Sequence, residues 1–163
     1  MDTNTPARLP VRILEGQVAS SRATRAMEAY VRELDEMLED GFDPALTEVT
    51  ADEEVTPPRG DFLLITALTD DAVIACGAVR LIDPDTAELR RMWVEPSRRG
   101  QGFGRRLLRT LENRARALGA RRAAMSLNEE MVAGLQLARV HGYVPVERFR
   151  ADTTATVFVA KDL

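Results

Sequence analysis

Cysteine, histidine and tryptophan each occur once in 163 residues, and aromatic residues make up only 5% of the chain. A lone Cys76 cannot close an intramolecular disulfide. It lies in the apolar run Val73 to Cys76, which predicts a buried structural thiol. No run approaches the ~18 apolar residues of a membrane span, and the chain does not open on a basic segment followed by an apolar one. A cytoplasmic protein with no membrane association is therefore expected. Excess positive charge is also lacking, with 22 Lys and Arg against 26 Asp and Glu and a net charge of −4. That balance argues against nucleic acid as a partner, which needs a basic footprint. A mildly acidic surface favours cationic partners such as amines.

What is present suits one globular domain. The length allows one core and is short for two, so residues 1–163 are taken as a single domain. The first ten residues form a loose N-terminus and Val11 to Leu14 a short strand. Ala23, Ala26, Met27, Tyr30, Val31, Leu34, Met37 and Leu38 recur at helical spacing, predicting a helix over 17–39 closed by Asp40 and Gly41. Residues 41–60, with Pro44, Pro57, Pro58 and the acids Asp52, Glu53 and Glu54, predict a long mobile loop. Strands are expected over 62–68, 73–81 and 87–94. Their short connections require antiparallel pairing.

Pro96 ends the third of these strands, and a glycine-rich loop leads into a strong helix with Phe103, Leu107, Leu108, Leu111, Ala115 and Leu118 on one face. Leu118 and Gly119 are a stop signal. A strand over 122–127, a helix over 130–140 and strands over 143–149 and 154–160 complete a mixed α/β order. No internal repeat or low-complexity segment appears.

The glycine loop carries the chemistry. Gly100, Gly102 and Gly104 stand between a strand and a helix, with Arg98, Arg99, Arg105 and Arg106 around them. Glycines let the backbone approach a ligand and adopt positive φ. Successive N–H groups at a helix N-terminus then suit an anion such as a pyrophosphate. A Walker loop would end in Gly-Lys-Ser/Thr, which is lacking. A Rossmann loop would be spaced G-x-G-x-x-G inside a parallel unit, whereas this one is G-x-G-x-G after an antiparallel strand. The pattern R/Q-x-x-G-x-G/A of acyl-CoA acyltransferases is met by Arg99, Gly102 and Gly104; a ligand-free glycine turn is the plain alternative.

The stretch 87–108, AELRRMWVEPSRRGQGFGRRLL, resembles motif A of the GCN5-related N-acetyltransferase (GNAT) superfamily, and the likeness extends over about 62–150. The resemblance implies a GNAT fold, with a mixed, mostly antiparallel sheet of about seven strands and flanking helices. It implies an enzyme that moves an acetyl group from acetyl-CoA to an amine, with coenzyme A as co-substrate, no metal, and homodimers as a common state.

Carried over residue by residue, a β-bulge lies on the motif strand. Backbone groups of Met92 and Val94, flanking Trp93, meet the pantetheine arm there, while the Met92 and Trp93 side chains pack in the core. The N–H groups from Arg99 through Gly100, Gln101, Gly102, Phe103 and Gly104 receive the pyrophosphate, and Arg105 also matches. Asn128 matches a frequent cofactor contact, with a helix cap over 130–140 as the plain alternative. The N–H of Val94 matches the oxyanion donor.

Glu88 matches the catalytic glutamate of one branch of the superfamily, a base for the attacking amine. Its plain alternative is an exposed glutamate paired with Arg90 or Arg91. The tyrosine acid of many members has no counterpart, because Ala138 stands in its place. A non-catalytic acyl-CoA-binding sensor or partner module is therefore the alternative to an enzyme.

His141, the one histidine, is either a substitute acid or a helix cap. Tyr30 packs in the core or lines an acceptor pocket, and Tyr143 matches a structural aromatic. The acceptor side falls in 17–60 and 145–160. There Asp35, Glu36, Glu39, Asp40 and Asp52 to Glu54 either draw an amine or form a solvated face. The likeness is to bacterial members of unassigned substrate, and a small-molecule amine is the expected acceptor.

Overall fold

Strand β2 (Gly60–Ala67) is buried along its whole length and organises the rest. Its alternation sends Leu63, Ile65 and Ala67 to one face and Phe62 and Leu64 to the other. Each face needs its own cover, and the chain supplies two helices. In the computed structural model, residues 8–42, 52–151 and 153–163 are described. Among them, β1 (Val11–Leu14), β2, β3 (Val73–Leu81), β4 (Thr86–Val94), β5 (Arg122–Leu127), β6 (Val144–Pro145) and β7 (Val157–Asp162) form one sheet in the order β1-β2-β3-β4-β5-β7-β6. Only β4 and β5 pair in parallel. The expected mixed, mostly antiparallel seven-stranded fold is what forms.

Helix α1 (Ser21–Met37) covers the Phe62 and Leu64 face with Ala23 and Ala26, which meet Cys76 and Trp93 there. Its start is fixed by Ser20, whose side chain accepts the Ala23 N–H at 3.1 Å. Helix α2 (Phe103–Ala117) covers the other face with Leu107, Leu108 and Leu111, all fully buried. Gly77 of β3 lets it come close, because a Cβ there would lie 2.7 Å from Leu111 Cδ1. Helix α3 (Val132–Val140) follows β5. The β3–β4 turn is held by Asp83, whose carboxylate accepts the N–H groups of Asp85 and Thr86 at 2.8 Å each.

Three expectations need correction. The segment 41–60 is not a loose loop in its described part. Residues Asp52–Val55 form a 3-10 turn with Val55 buried, and Glu54 binds Arg80 at 2.7 Å. Residues 43–51 lie outside the described ones. The N-terminus is tied from Leu9 onward, since Leu9 packs on the core and the Pro10 carbonyl accepts the Leu68 N–H; residues 1–7 are outside the description. The strand expected over 143–149 shrinks to β6. Pro145 brings no N–H to the ladder, only Val146 bonds once more to Phe158, and Arg148 then donates to the carbonyls of Arg150, Thr153 and Ala155.

Candidate active site

The parallel β4–β5 pair is short. Thr86, Ala87 and Glu88 face Arg122, Ala123 and Ala124, and then the strands part. A parallel ladder that stops halfway leaves two walls, Leu89 to Met92 on β4 and Met125 to Leu127 on β5 with Asn128 just beyond it. With α1 as a third wall, they enclose a cavity of about 750 Å³ that Tyr30 and Arg150 also line.

The β4 wall is irregular. The β3–β4 register shifts between Cys76 and Ala78, so Gly77 stands opposite both Arg91 and Met92. This is the bulge expected from the motif. Its mark is Arg91, which takes φ +53°, a region that suits glycine and costs a larger residue about 1–2 kcal/mol. Met92 lines the cavity and packs partly on the α2 side of the core. Trp93 is buried against α1, and its indole N–H donates to Glu33 at 3.2 Å.

Beyond β4, the 3-10 turn Pro96–Arg98 leads into the glycine loop. Gly100 and Gly102 have φ of +74° and +86°, and Gly102 occupies the N-cap position of α2 with no side chain closing the helix end. The first N–H groups of α2 are thus left to an outside acceptor. Gly104 is ordinary helix, where an added Cβ would meet Leu137 Cδ2 at 3.8 Å, an ordinary contact. Phe103 anchors the loop in the core, while Gln101 donates to the Ser97 carbonyl at 3.3 Å and Arg105 is exposed.

The side chain of Arg99 is turned toward α1. Its guanidinium reaches back to the Val94 carbonyl at 3.0 Å and to Glu33 of α1 at 2.6 Å. Glu33 therefore ties α1 to both Trp93 and the glycine loop. Sequence reasoning missed Glu33, which carries no local signal except its place on the helix.

Glu88 is not the exposed glutamate of its plain alternative. It is fully buried and absent from the cavity wall. It sits where β4 and β5 part. Arg80 donates to it at 3.2 Å, Arg150 at 2.9 Å and the Ser126 hydroxyl at 3.2 Å, and Arg90 lies at 3.6 Å. Glu88 keeps the ion pair with Arg90 that its plain alternative named, but inside a buried network off the cavity wall. Arg150, from the segment after β6, is the residue that no local pattern announced.

Asn128 lines the cavity and does not cap α3, whose N-cap is Met131 without a side-chain bond. Ala138 is buried in the α2 side of the core. His141 caps the end of α3 and is not on the cavity wall. Tyr30 packs on the α1 side of the core and also lines the cavity; burial pushes its phenol up to about 12. Tyr143 is structural, donating to Glu112 at 2.8 Å, and burial together with that bond raises its phenol well above the usual range. Cys76 is buried as expected, and burial pushes its thiol up to about 12.

Of the acids on the acceptor side, Asp35 and Asp52 line the cavity, Glu54 is engaged by Arg80, and Glu36, Glu39, Asp40 and Glu53 are exposed. Among the described residues, no group of three or more His, Cys, Asp or Glu is placed to hold a metal, and no helix is long and apolar enough to cross a membrane.

Known proteins share this fold. A family model described as acetyltransferase (GNAT) family matches residues 24–143. An IAA acetyltransferase of Azospirillum brasilense is 30% identical over 119 residues, which is 72% of this chain and 76% of the relative. A Klebsiella pneumoniae structure assigned to the acyl-CoA N-acyltransferases superposes with a TM-score of 0.75 over 94% of this chain and 97% of that one, at 21% identity. A GNAT family acetyltransferase of Elizabethkingia anophelis, solved with acetyl-CoA bound, gives 0.60 over 94% and 98%, at 13% identity. The chain belongs to the acetyltransferase (GNAT) family.

Proposed function

We propose that this family member moves an acetyl group from acetyl-CoA to a primary amine of a small molecule, by direct attack in a ternary complex. One observation carries the reading. The glycine loop at the start of α2 and the cavity between β4, β5 and α1 meet along the bulged end of β4. A molecule with a pyrophosphate and an extended arm can lie along that line, its phosphates on the N–H groups of residues 99 to 104. Backbone groups of Met92 and Val94 and the side chain of Asn128 would meet the arm. The Elizabethkingia anophelis structure with acetyl-CoA bound supports the same donor here.

In the reaction, the amine nitrogen attacks the thioester carbonyl carbon, the C–N bond forms, and the C–S bond breaks. The amine loses a proton and the departing thiolate gains one. Backbone donors at the bulge stabilise the oxyanion, where preorganised dipoles are worth most. We assign Glu88 to positioning. It fixes Arg150 and stands beside Arg90 on the cavity wall, and the proton of the amine leaves by another route. The buried Ala138 leaves the usual tyrosine place empty of an acid; thiolate is a fair leaving group, so turnover does not require one.

Ala138 also favours a second reading, a non-catalytic acyl-CoA-binding module. Calorimetry with acetyl-CoA, against dephospho-CoA and ATP, tests the donor. Micromolar binding selective for acetyl-CoA supports it, and equal binding of ATP removes it. An amine panel with thiol-release detection separates enzyme from module. Sedimentation of the purified chain measures the homodimer that the family leads one to expect.

A further inference from the structure

We infer that the acceptor amine carries a carboxylate, and that Arg91, with Arg90 beside it, receives that group on the β4 wall of the cavity. The inference rests on the acyltransferase reading and narrows its substrate class.

The bulge is the first reason. A regular strand sends neighbouring side chains to opposite faces. Here the extra residue breaks the alternation, and Arg90 and Arg91 both line one cavity. Arg91 holds φ +53° to do so, a conformation that arginine rarely takes.

The second reason is what Arg91 touches. Its guanidinium donates to the thioether sulfur of Met27 at 3.8 Å, a weak acceptor. Among the described residues it joins no ion pair. Asp52 attracts it from beyond ion-pair distance. Arg90 already pairs with Glu88 at 3.6 Å, and that carboxylate, off the cavity wall, also accepts from Arg80 and Arg150. Burial lowers Arg91, so this cation sits where water stabilises it poorly. An anion placed against it restores that stabilisation.

The third reason is shape. A guanidinium presents a planar fork that matches a carboxylate through two parallel N–H···O bonds. Glu28 and Asp35 on the α1 wall give the cavity acidic groups as well. Walls of both signs suit a molecule with an amine and an anion. The acidic balance of the whole chain pointed to plainly cationic acceptors; the local wall does not.

The test uses the full chain. Acetyl-CoA affinity is measured first by calorimetry. Thiol release is then followed for the standard α-amino acids, β-alanine and 4-aminobutyrate, each against its own methyl ester. The ester keeps the amine and the skeleton and removes the negative charge. At least one acid is expected to exceed its ester about tenfold or more in kcat/KM, the loss expected when a charge-assisted hydrogen bond goes. Arg91→Asn, a residue that tolerates positive φ, is expected to raise KM for that acid about tenfold or more. It should leave acetyl-CoA affinity and the circular dichroism spectrum unchanged. If Arg91→Asn misfolds, Arg91→Gly, which is at home at that φ, takes its place.

If acetyl-CoA binds and no acid outpaces its ester, or if the Arg91 variant keeps the parent KM, the carboxylate assignment is overturned while the donor reading stands. Failure of acetyl-CoA to bind overturns the acyltransferase reading itself, and this inference with it.

Discussion

Glu88 accepts a hydrogen bond from Arg150 at 2.9 Å, joining a strand in the middle of the sheet to a segment 62 positions further along the chain. Both residues are buried. The bond closes the apex of the cleft at the point where β4 and β5 separate, so the active-site walls and the arginine network share one anchor.

Replacing Glu88 by Gln keeps the size and removes the charge. Arg80 and Arg150 then face a neutral amide in a buried place, and breaking a buried pair costs about 3–5 kcal/mol. A fall in Tm of roughly 10 °C is expected for a chain of this length. The acid limb of the pH–rate profile should stay where it is in the folded fraction. A stable variant whose acid limb disappears would make Glu88 the base after all.

Gly60 admits no side chain. A Cβ there would lie 2.1 Å from the Glu54 carbonyl oxygen and 2.3 Å from that of Val79, both backbone atoms. Gly60→Ala is expected to cost about 3 kcal/mol or more, since the obstruction cannot rotate away. Gly104→Ala, meeting only Leu137 at 3.8 Å, is the matched control and should change stability by less than about 1 kcal/mol. Thermal denaturation of the two proteins checks both.

Gly102 is needed for its backbone instead. Nothing lies within 4 Å of an added Cβ, but φ is +86°. Gly102→Val forces a β-branched residue into a region that costs about 1–2 kcal/mol even for ordinary residues. The loop N–H groups then turn away from the phosphate position. Acetyl-CoA binding should weaken about tenfold or more by calorimetry, with a smaller change in Tm than Gly60→Ala gives. Unchanged affinity would remove the loop from the binding site.

The two tyrosines report on alkaline pH. Tyr30 is pushed up to about 12, and Tyr143 is raised as well. Both folded values lie above the unfolded value of about 10. Their contribution to stability is full below pH ~10 and is lost as pH rises through the folded values, because the unfolded chain releases its protons first. Absorbance at 295 nm in the native protein should stay flat past pH ~10 and rise together with loss of structure. A tyrosinate signal near pH 10 in folded protein would show that Tyr30 is open to water.

Much of this protein was determined locally. Periodicity set α1 and α2, because a 3.6-residue apolar stripe has one way to be buried. The strands over 73–81 and 122–127 were legible from apolar runs bounded by turn residues, and the loop conformation at Gly100 and Gly102 from the positive φ that only glycine takes freely. Resemblance to a known motif supplied the bulge before any coordinate did.

What the tertiary structure decided is which charges meet. Glu88 was singled out by its place on the motif strand, but its partners Arg80, Ser126 and Arg150 come from three other segments. The Arg99 guanidinium is engaged by Glu33 of α1, a partner that no local spacing announces. Arg90 and Arg91 became walls of one cavity only through a shift in register with β3. Local spacing fixes how a chain folds on itself over a few residues. Burial and pairing of charge depend on segments brought together from far apart, and that is decided by the sheet.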